Sequence, residues 1–160
     1  ASVEDYRHLL SLIPECWHSR IVLHEHFGLT SEFCLHGIHL NRRCSHVPEG
    51  FKGSISCSCH SLEEVVANKP LRNYLFLSPI FDSISKVGYE AAFSDSILQQ
   101  AAQDAIIDSK VIALGGVSSA NIPQIKSWNF GGAAFLGDIW SRINDPHVDQ
   151  YLDTLRLQLG

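Results

Sequence analysis

Side chains able to bind charge or move protons follow the apolar runs of this chain with regularity. His24, Glu25 and His26 come after the run at 21–23; Asn41, Arg42 and Arg43 after 37–40; Ser58, Cys59 and His60 close the run at 54–58. Ser78 to Lys86 follow 74–77, Gly115 to Ser119 follow 111–114, and Gly137 with Asp138 follow 132–136. In the stretch 111–119, VIALGGVSS, apolar residues run into two adjacent glycines and then serines. Gly115 and Gly116 let the backbone approach a ligand closely, and Ser118 or Ser119 can cap a helix beginning near Asn121. Backbone N–H groups at such a turn favour an anion. The pattern predicts a strand covered on both faces that ends in a phosphate cradle.

Cys57, Cys59 and His60, together with Cys44, His46, His24 and His26, are residue types that ligate zinc. The C-x-C-H order lacks the usual spacer of about two to four residues. Strand alternation also turns Cys57 away from Ser58. Small residues filling the interior of a sheet are the simpler reading. Cys16 and Cys34, at helical positions, read as core or incidental.

The elements that must hold these groups alternate. Val3, Tyr6, Leu9, Leu10 and Ile13 recur at helical spacing, with Ser2 as cap and Glu4 and Asp5 in the first turn. Short apolar strands are expected at 21–23, 37–40, 54–58, 74–77, 111–114 and 132–136. Helices are expected at 29–35, from Ser61 with its capping glutamate, at 95–105, from Asn121 to Trp128, after Asp138 and at 148–159. The segment 41–52 reads as a loop. Six strand-and-helix repeats are the signature of parallel βαβ units, in a doubly wound sheet or a (β/α)8 barrel. Chemistry placed after nearly every strand favours the barrel, since a doubly wound sheet concentrates it at one switch point.

With 160 residues, one domain spanning 1–160 is expected. The formal net charge of −5 shows no basic excess, which argues against nucleic acid or an anionic membrane surface as partner. No apolar run approaches the roughly 18 residues of a membrane span. A soluble, cytoplasmic protein is the expectation, and its five cysteines, an odd number, read as reduced thiols. Whether it forms a homo-oligomer is left open by the sequence.

Five motifs in order carry a resemblance to a known family. They are GIHL at 37–40, SCSCHSLEEV at 56–65, YLFLSPIFDSISK at 74–86, ALGGVSSANI at 113–122 and GGAAFLGDIW at 131–140. The chain resembles the thiamine phosphate synthase family, including its thiazole tautomerase branch, whose members are (β/α)8 barrels. The resemblance implies that six of the eight β/α units are present here. The first two strands, with the arginine and lysine cluster that holds the pyrimidine pyrophosphate, would precede Ala1 in a full barrel.

The resemblance also implies roles. Gly115, Gly116 and Gly137 would bind a phosphate, Gly137 standing where the family usually has serine. Ser83, Ser85 and Lys86 match a T-x-T-K segment and would offset charge on a departing pyrophosphate. His60 matches the histidine proposed as acid/base in the tautomerase branch; histidine is the residue type that titrates near neutrality. Ser58 would contact substrate. The family's Mg²⁺ is held by an aspartate in an N-D pair and by another after the G-x-H-L segment. Here the pair reads His24–Glu25 and the second position falls near Arg43 or Cys44, so Glu25 is the one carboxylate left as a Mg²⁺ ligand. Implied, therefore, is a transferase of thiamine biosynthesis, joining an aminopyrimidine pyrophosphate to a thiazole phosphate with release of pyrophosphate. The alternatives are a thiazole tautomerase using His60, or a barrel that binds such phosphates without turnover.

Overall fold

The computed structural model describes residues 1–82 and 92–159. Six strands alternate with helices: α1 (Val3–Leu12), β1 (Val22–Leu23), α2 (Leu29–Glu32), β2 (Gly37–Leu40), β3 (Ser54–Cys59), α3 (Leu62–Asn68) and β4 (Tyr74–Leu77). Then follow α4 (Asp95–Gln103), β5 (Val111–Leu114), α5 (Ile122–Ser127), β6 (Gly132–Ala134), α6 (Gly137–Trp140) and α7 (Val148–Leu159). β1 pairs in parallel with β2, β2 with β3, β4 with β5 and β5 with β6. Parallel pairing of consecutive strands is what the alternating pattern predicts. By its contacts the chain forms two compact units, one of residues 1–58 and 71–73, the other of 59–70 and 74–160.

In the first unit, α1 starts from a capping box in which Ser2 and Asp5 each bond the other's backbone N–H. Its inward residue Leu10 joins Leu23, Leu29 and Leu35 in an apolar cluster, flanked by Tyr6, Ile21, Phe27 and Phe33. A 3-10 turn at Glu15–Arg20, which the apolar pattern does not announce, leads into β1. His18 in that turn is buried, with Nδ1 3.0 Å from the Phe33 carbonyl. α2 is shorter than the expected 29–35 because Cys34 adopts a left-handed backbone, φ 53°, and the Leu35 N–H turns back to the Thr30 carbonyl at 2.9 Å. Cys16 and Cys34 are both exposed, so neither is core.

In the second unit, Leu75, Leu77, Val111 and Ala113 are fully buried. Ile112 and Leu114 are only half-buried, so β5 alternates where its unbroken apolar run predicts a strand covered equally on both faces. Ser94 caps α4, which lays Leu98 and Ala101 on this core. The buried Trp128 donates its Nε1–H to Asp95 at 3.0 Å. Lys69 reaches the carbonyls of Ala105 at 2.6 Å and Ile106 at 3.0 Å and the Asp108 carboxylate at 2.9 Å, satisfying the turn beyond α4. β6 stops at Ala134, before the expected 136, because α6 begins one residue after Leu136. Among the described residues no helix is long and apolar enough to cross a membrane.

Candidate active site

In the first unit the groups gather after β1 and β2 and on β3. Glu25 accepts a hydrogen bond from the Tyr6 hydroxyl at 2.7 Å. That bond, helped by the charges of His26 and Arg43, holds its carboxyl below the usual glutamate range. Asn41 donates to the His24 carbonyl at 2.7 Å and accepts from the N–H groups of Arg43 at 2.9 Å and Cys44 at 3.1 Å. The loop after β2 is thereby pinned to the loop after β1 through an Asx turn. His24 stacks on His39, ring centroids 4.4 Å apart. The β2–β3 register places His39 opposite Ser56, and Ser58 lies two residues on along the same face. Both serine hydroxyls sit 2.9 Å from His39, one at each ring nitrogen.

These residues do not fit a dedicated Mg²⁺ site. Glu25 is one carboxylate with an oxygen held by Tyr6, and the second family position falls near Arg43 or Cys44, neither of them an acid. Among the described residues no three His, Cys, Asp or Glu side chains are grouped to hold a metal ion.

In the second unit, His60 follows β3 and is exposed, and its backbone N–H is held by Glu64 at 2.7 Å. Its Nδ1 lies 3.0 Å from the Ser78 carbonyl oxygen and 3.3 Å from the Ser78 hydroxyl. A carbonyl only accepts, so Nδ1 carries a proton, and in the neutral tautomer it is Nε2 that carries the lone pair. The segment 78–82 continues onto the turn after β5, with Ile80 N–H on the Leu114 carbonyl at 3.0 Å and Phe81 N–H on the Gly115 carbonyl at 3.1 Å. Gly115 and Gly116 have φ of 93° and 63°. A Cβ would lie 2.9 Å from Pro79 Cα at Gly115 and 2.3 Å from the Asp82 carbonyl oxygen at Gly116. Both glycines are thus required by the chain's own 78–82 segment, and any grip on an anion here comes through backbone N–H groups. Asn121 fixes the turn, donating to the Gly116 carbonyl at 2.9 Å and accepting from the Ser118 N–H at 3.0 Å.

Gly137 opens α6. Asp138, which would repel a phosphate if it faced one, is buried and turned instead to the Tyr151 hydroxyl and, at 3.6 Å, to Arg142. The Tyr151 oxygen also accepts from the Ser119 N–H at 3.2 Å, and Arg142 lies over the Tyr151 ring at 4.3 Å. This network ties α6 and α7 to the turn after β5. Ser83, Ser85 and Lys86 lie outside the described residues.

Against known families, the thiamine monophosphate synthase model matches residues 3–139. The chain belongs to that family. The match places it among the transferases of thiamine biosynthesis. A thiamine phosphate pyrophosphorylase from Bacteroides thetaiotaomicron has the same fold, with TM-score 0.88 and 41% identity over 99% of this chain and 79% of its own. A thiamine phosphate pyrophosphorylase from Pyrococcus furiosus, 16% identical, superposes with TM-score 0.69 over 99% of this chain and 77% of its own. The thiamine-phosphate synthase of Latilactobacillus sakei subsp. sakei (strain 23K) is 24% identical over 156 residues, 93% of this chain and 69% of that protein. The fold class is α/β, with six of the eight units of the family's (β/α)8 barrel in this chain.

Three residues of the site carry no role from the motifs: His39, Ser56 and Asn121. A histidine between Ile38 and Leu40 in a fully buried strand was the available signal, because a buried imidazole needs partners. The S-x-x-N spacing from Ser118 to Asn121 was the signal for the clamp. His39 has a consequence for stability. Burial, with the neighbouring His24, pushes it down from 6.5 to about 4. Between those values the unfolded chain binds a proton that the folded chain does not. Stability is therefore at its full value above about pH 6.5 and falls as pH is lowered toward 4, by roughly 2–3 kcal/mol. Urea midpoints at pH 7 and 4.5 should separate more for the wild type than for His39→Gln; equal separations would remove His39 as the cause.

Proposed function

We propose that the protein containing this chain joins an aminopyrimidine, carried as its pyrophosphate, to a thiazole phosphate. The observation that carries this reading is the 41% identity with a thiamine phosphate pyrophosphorylase across 99% of the chain. In that reaction the bond from the pyrimidine's methylene carbon to the pyrophosphate oxygen breaks, a bond from that carbon to the thiazole nitrogen forms, and pyrophosphate leaves. Such chemistry asks the protein to align two substrates and stabilise a departing anion. On this reading the N–H groups at Gly115, Gly116 and Gly137 hold the thiazole phosphate. Ser83, Ser85 and Lys86 offset charge on the pyrophosphate, and Ser58 contacts the heterocycle.

Lys86→Ala is expected to lower turnover by about 100-fold or more, as loss of one charge-stabilising donor typically does, with little change in melting temperature. An unchanged rate of pyrophosphate release would remove Lys86 from the reaction. Running the assay with and without chelator reads out the magnesium dependence that the family suggests.

A second reading is favoured by His60. With Nδ1 held by the Ser78 carbonyl, its basic Nε2 suits a proton shuttle. Thiazole tautomerisation needs such a shuttle and no metal. Isomerisation of a carboxythiazole phosphate that persists in chelator, without pyrophosphate release from the coupling pair, would select this reading over the first.

A further inference from the structure

In the second unit an acidic side chain stands directly beside a glycine that the proposed reaction gives to phosphate. Asp138 follows Gly137 in sequence and is 6% exposed. Its carboxylate is held on both sides: Oδ2 accepts from the Tyr151 hydroxyl, and Oδ1 stands 3.6 Å from Arg142. Tyr151 comes from the first turn of α7, and the Arg142 guanidinium covers its ring at 4.3 Å. The same phenolic oxygen accepts the Ser119 N–H at 3.2 Å, so its one proton goes to Asp138 and a lone pair to the turn after β5. From that turn Asn121 carries the chain of bonds on to the Gly116 carbonyl at 2.9 Å. One hydroxyl thus links the segment at Gly137 with the segment at Gly116.

We infer that Tyr151 is a positioning residue that draws the Asp138 charge away from the anion and so lets a phosphate bind beside an aspartate. A neighbouring like charge disfavours an anion, so a carboxylate at this position is tolerated only while it faces elsewhere. Arg142 offsets part of the charge, but its side chain is 41% exposed and its 3.6 Å approach is too long for a hydrogen bond, so it sets the direction weakly. The Tyr151 hydroxyl, donating to a carboxylate, sets it firmly. With that oxygen gone, Asp138 is left beside the N–H groups at the start of α6, which have no partner within the helix and attract negative charge. A carboxylate turned to them takes the place of the phosphate. The position of the anion rests on the phosphate grip proposed above; the hold on Asp138 does not.

A double-mutant cycle on the full chain tests this, read by calorimetric titration with a thiazole phosphate and with the same thiazole lacking its phosphate. Tyr151→Phe keeps the ring under Arg142 and removes only the oxygen. It should weaken the phosphorylated probe by roughly 10- to 100-fold, the worth of a hydrogen bond to a charged group, and the unphosphorylated probe by less than about threefold. In the Asp138→Asn background there is no charge to release, and the same change should cost less than about threefold for either probe. A role in folding alone would weaken both probes together in both backgrounds, and that result overturns the proposal. A loss of about tenfold that persists in the Asp138→Asn background overturns it too. Should Tyr151→Phe alone fail to fold, that second comparison still decides. A wild type that binds both probes equally removes the phosphate grip, and this proposal with it. A wild type that prefers the phosphorylated probe, with the preference intact in Tyr151→Phe, removes this proposal alone.

Discussion

Gly116→Ala is expected to destabilise the protein by about 2–5 kcal/mol, read as a large fall in the urea midpoint. Two costs add. At φ 63° an L side chain loses roughly 1–2 kcal/mol against its neighbouring carbonyl. The new methyl would then stand 2.3 Å from the Asp82 carbonyl oxygen and 2.7 Å from Phe81 Cβ, and forcing an extra carbon into a packed site costs typically about 1–3 kcal/mol. Backbone atoms cannot swing aside, so the segment 78–82 must move. A control separates the two costs. Gly50 has φ 71° but nothing within 4 Å of its would-be Cβ, so Gly50→Ala carries the conformational cost alone, about 1 kcal/mol. Equal midpoints for the two variants would mean that segment 78–82 does not press on Gly116. Against a total stability of about 5–15 kcal/mol, the predicted loss in Gly116→Ala is large enough to impair folding.

His60→Asn is expected to reduce proton transfer on a carboxythiazole phosphate by about 10²- to 10⁴-fold while leaving the melting temperature nearly unchanged. The asparagine amide can still donate to the Ser78 carbonyl, 3.0 Å from the present Nδ1, but nothing basic then stands where Nε2 was. His60 is exposed, so little packing is lost. Solvent deuterium wash-in at the thiazole carbon reads the proton transfer directly. Wash-in at the wild-type rate would rule out His60 as the acid/base. Pyrophosphate release measured on the same variant shows whether coupling, too, depends on this imidazole.

Much of the architecture is legible in the residues, because the strands are short apolar runs separated by helices with recognisable caps. Ser2 and Ser61 each accept the backbone N–H that their spacing predicts. Ends are less legible where a residue other than glycine takes a left-handed backbone. Cys34 and Ala105, at φ 53° and 54°, stop helices that their apolar periodicity would carry further. At the site, the glycine pair at 115–116 was visible as a sharp turn, but its cause was not. Only the fold shows that 78–82 lies against it, since that contact joins positions more than thirty residues apart. The pairing of His39 with Ser56 was hidden for the same reason: strand register, not local sequence, sets the two opposite each other. Conversely, Glu25 could be singled out as a lone carboxylate from sequence, while its partner Tyr6 came from a helix that no motif connects to it.

The chain's tryptophans divide sharply by environment. Trp17 and Trp140 are 51% and 61% exposed, whereas Trp128 is 2% exposed and bonded to Asp95. Intrinsic emission is therefore a sum of two water-facing indoles and one sheltered indole, and a soluble quencher would strip the first pair while sparing the third. What remains is an optical signal belonging to the unit of residues 59–70 and 74–160 alone, so loosening of that unit can be followed in solution without attaching any label.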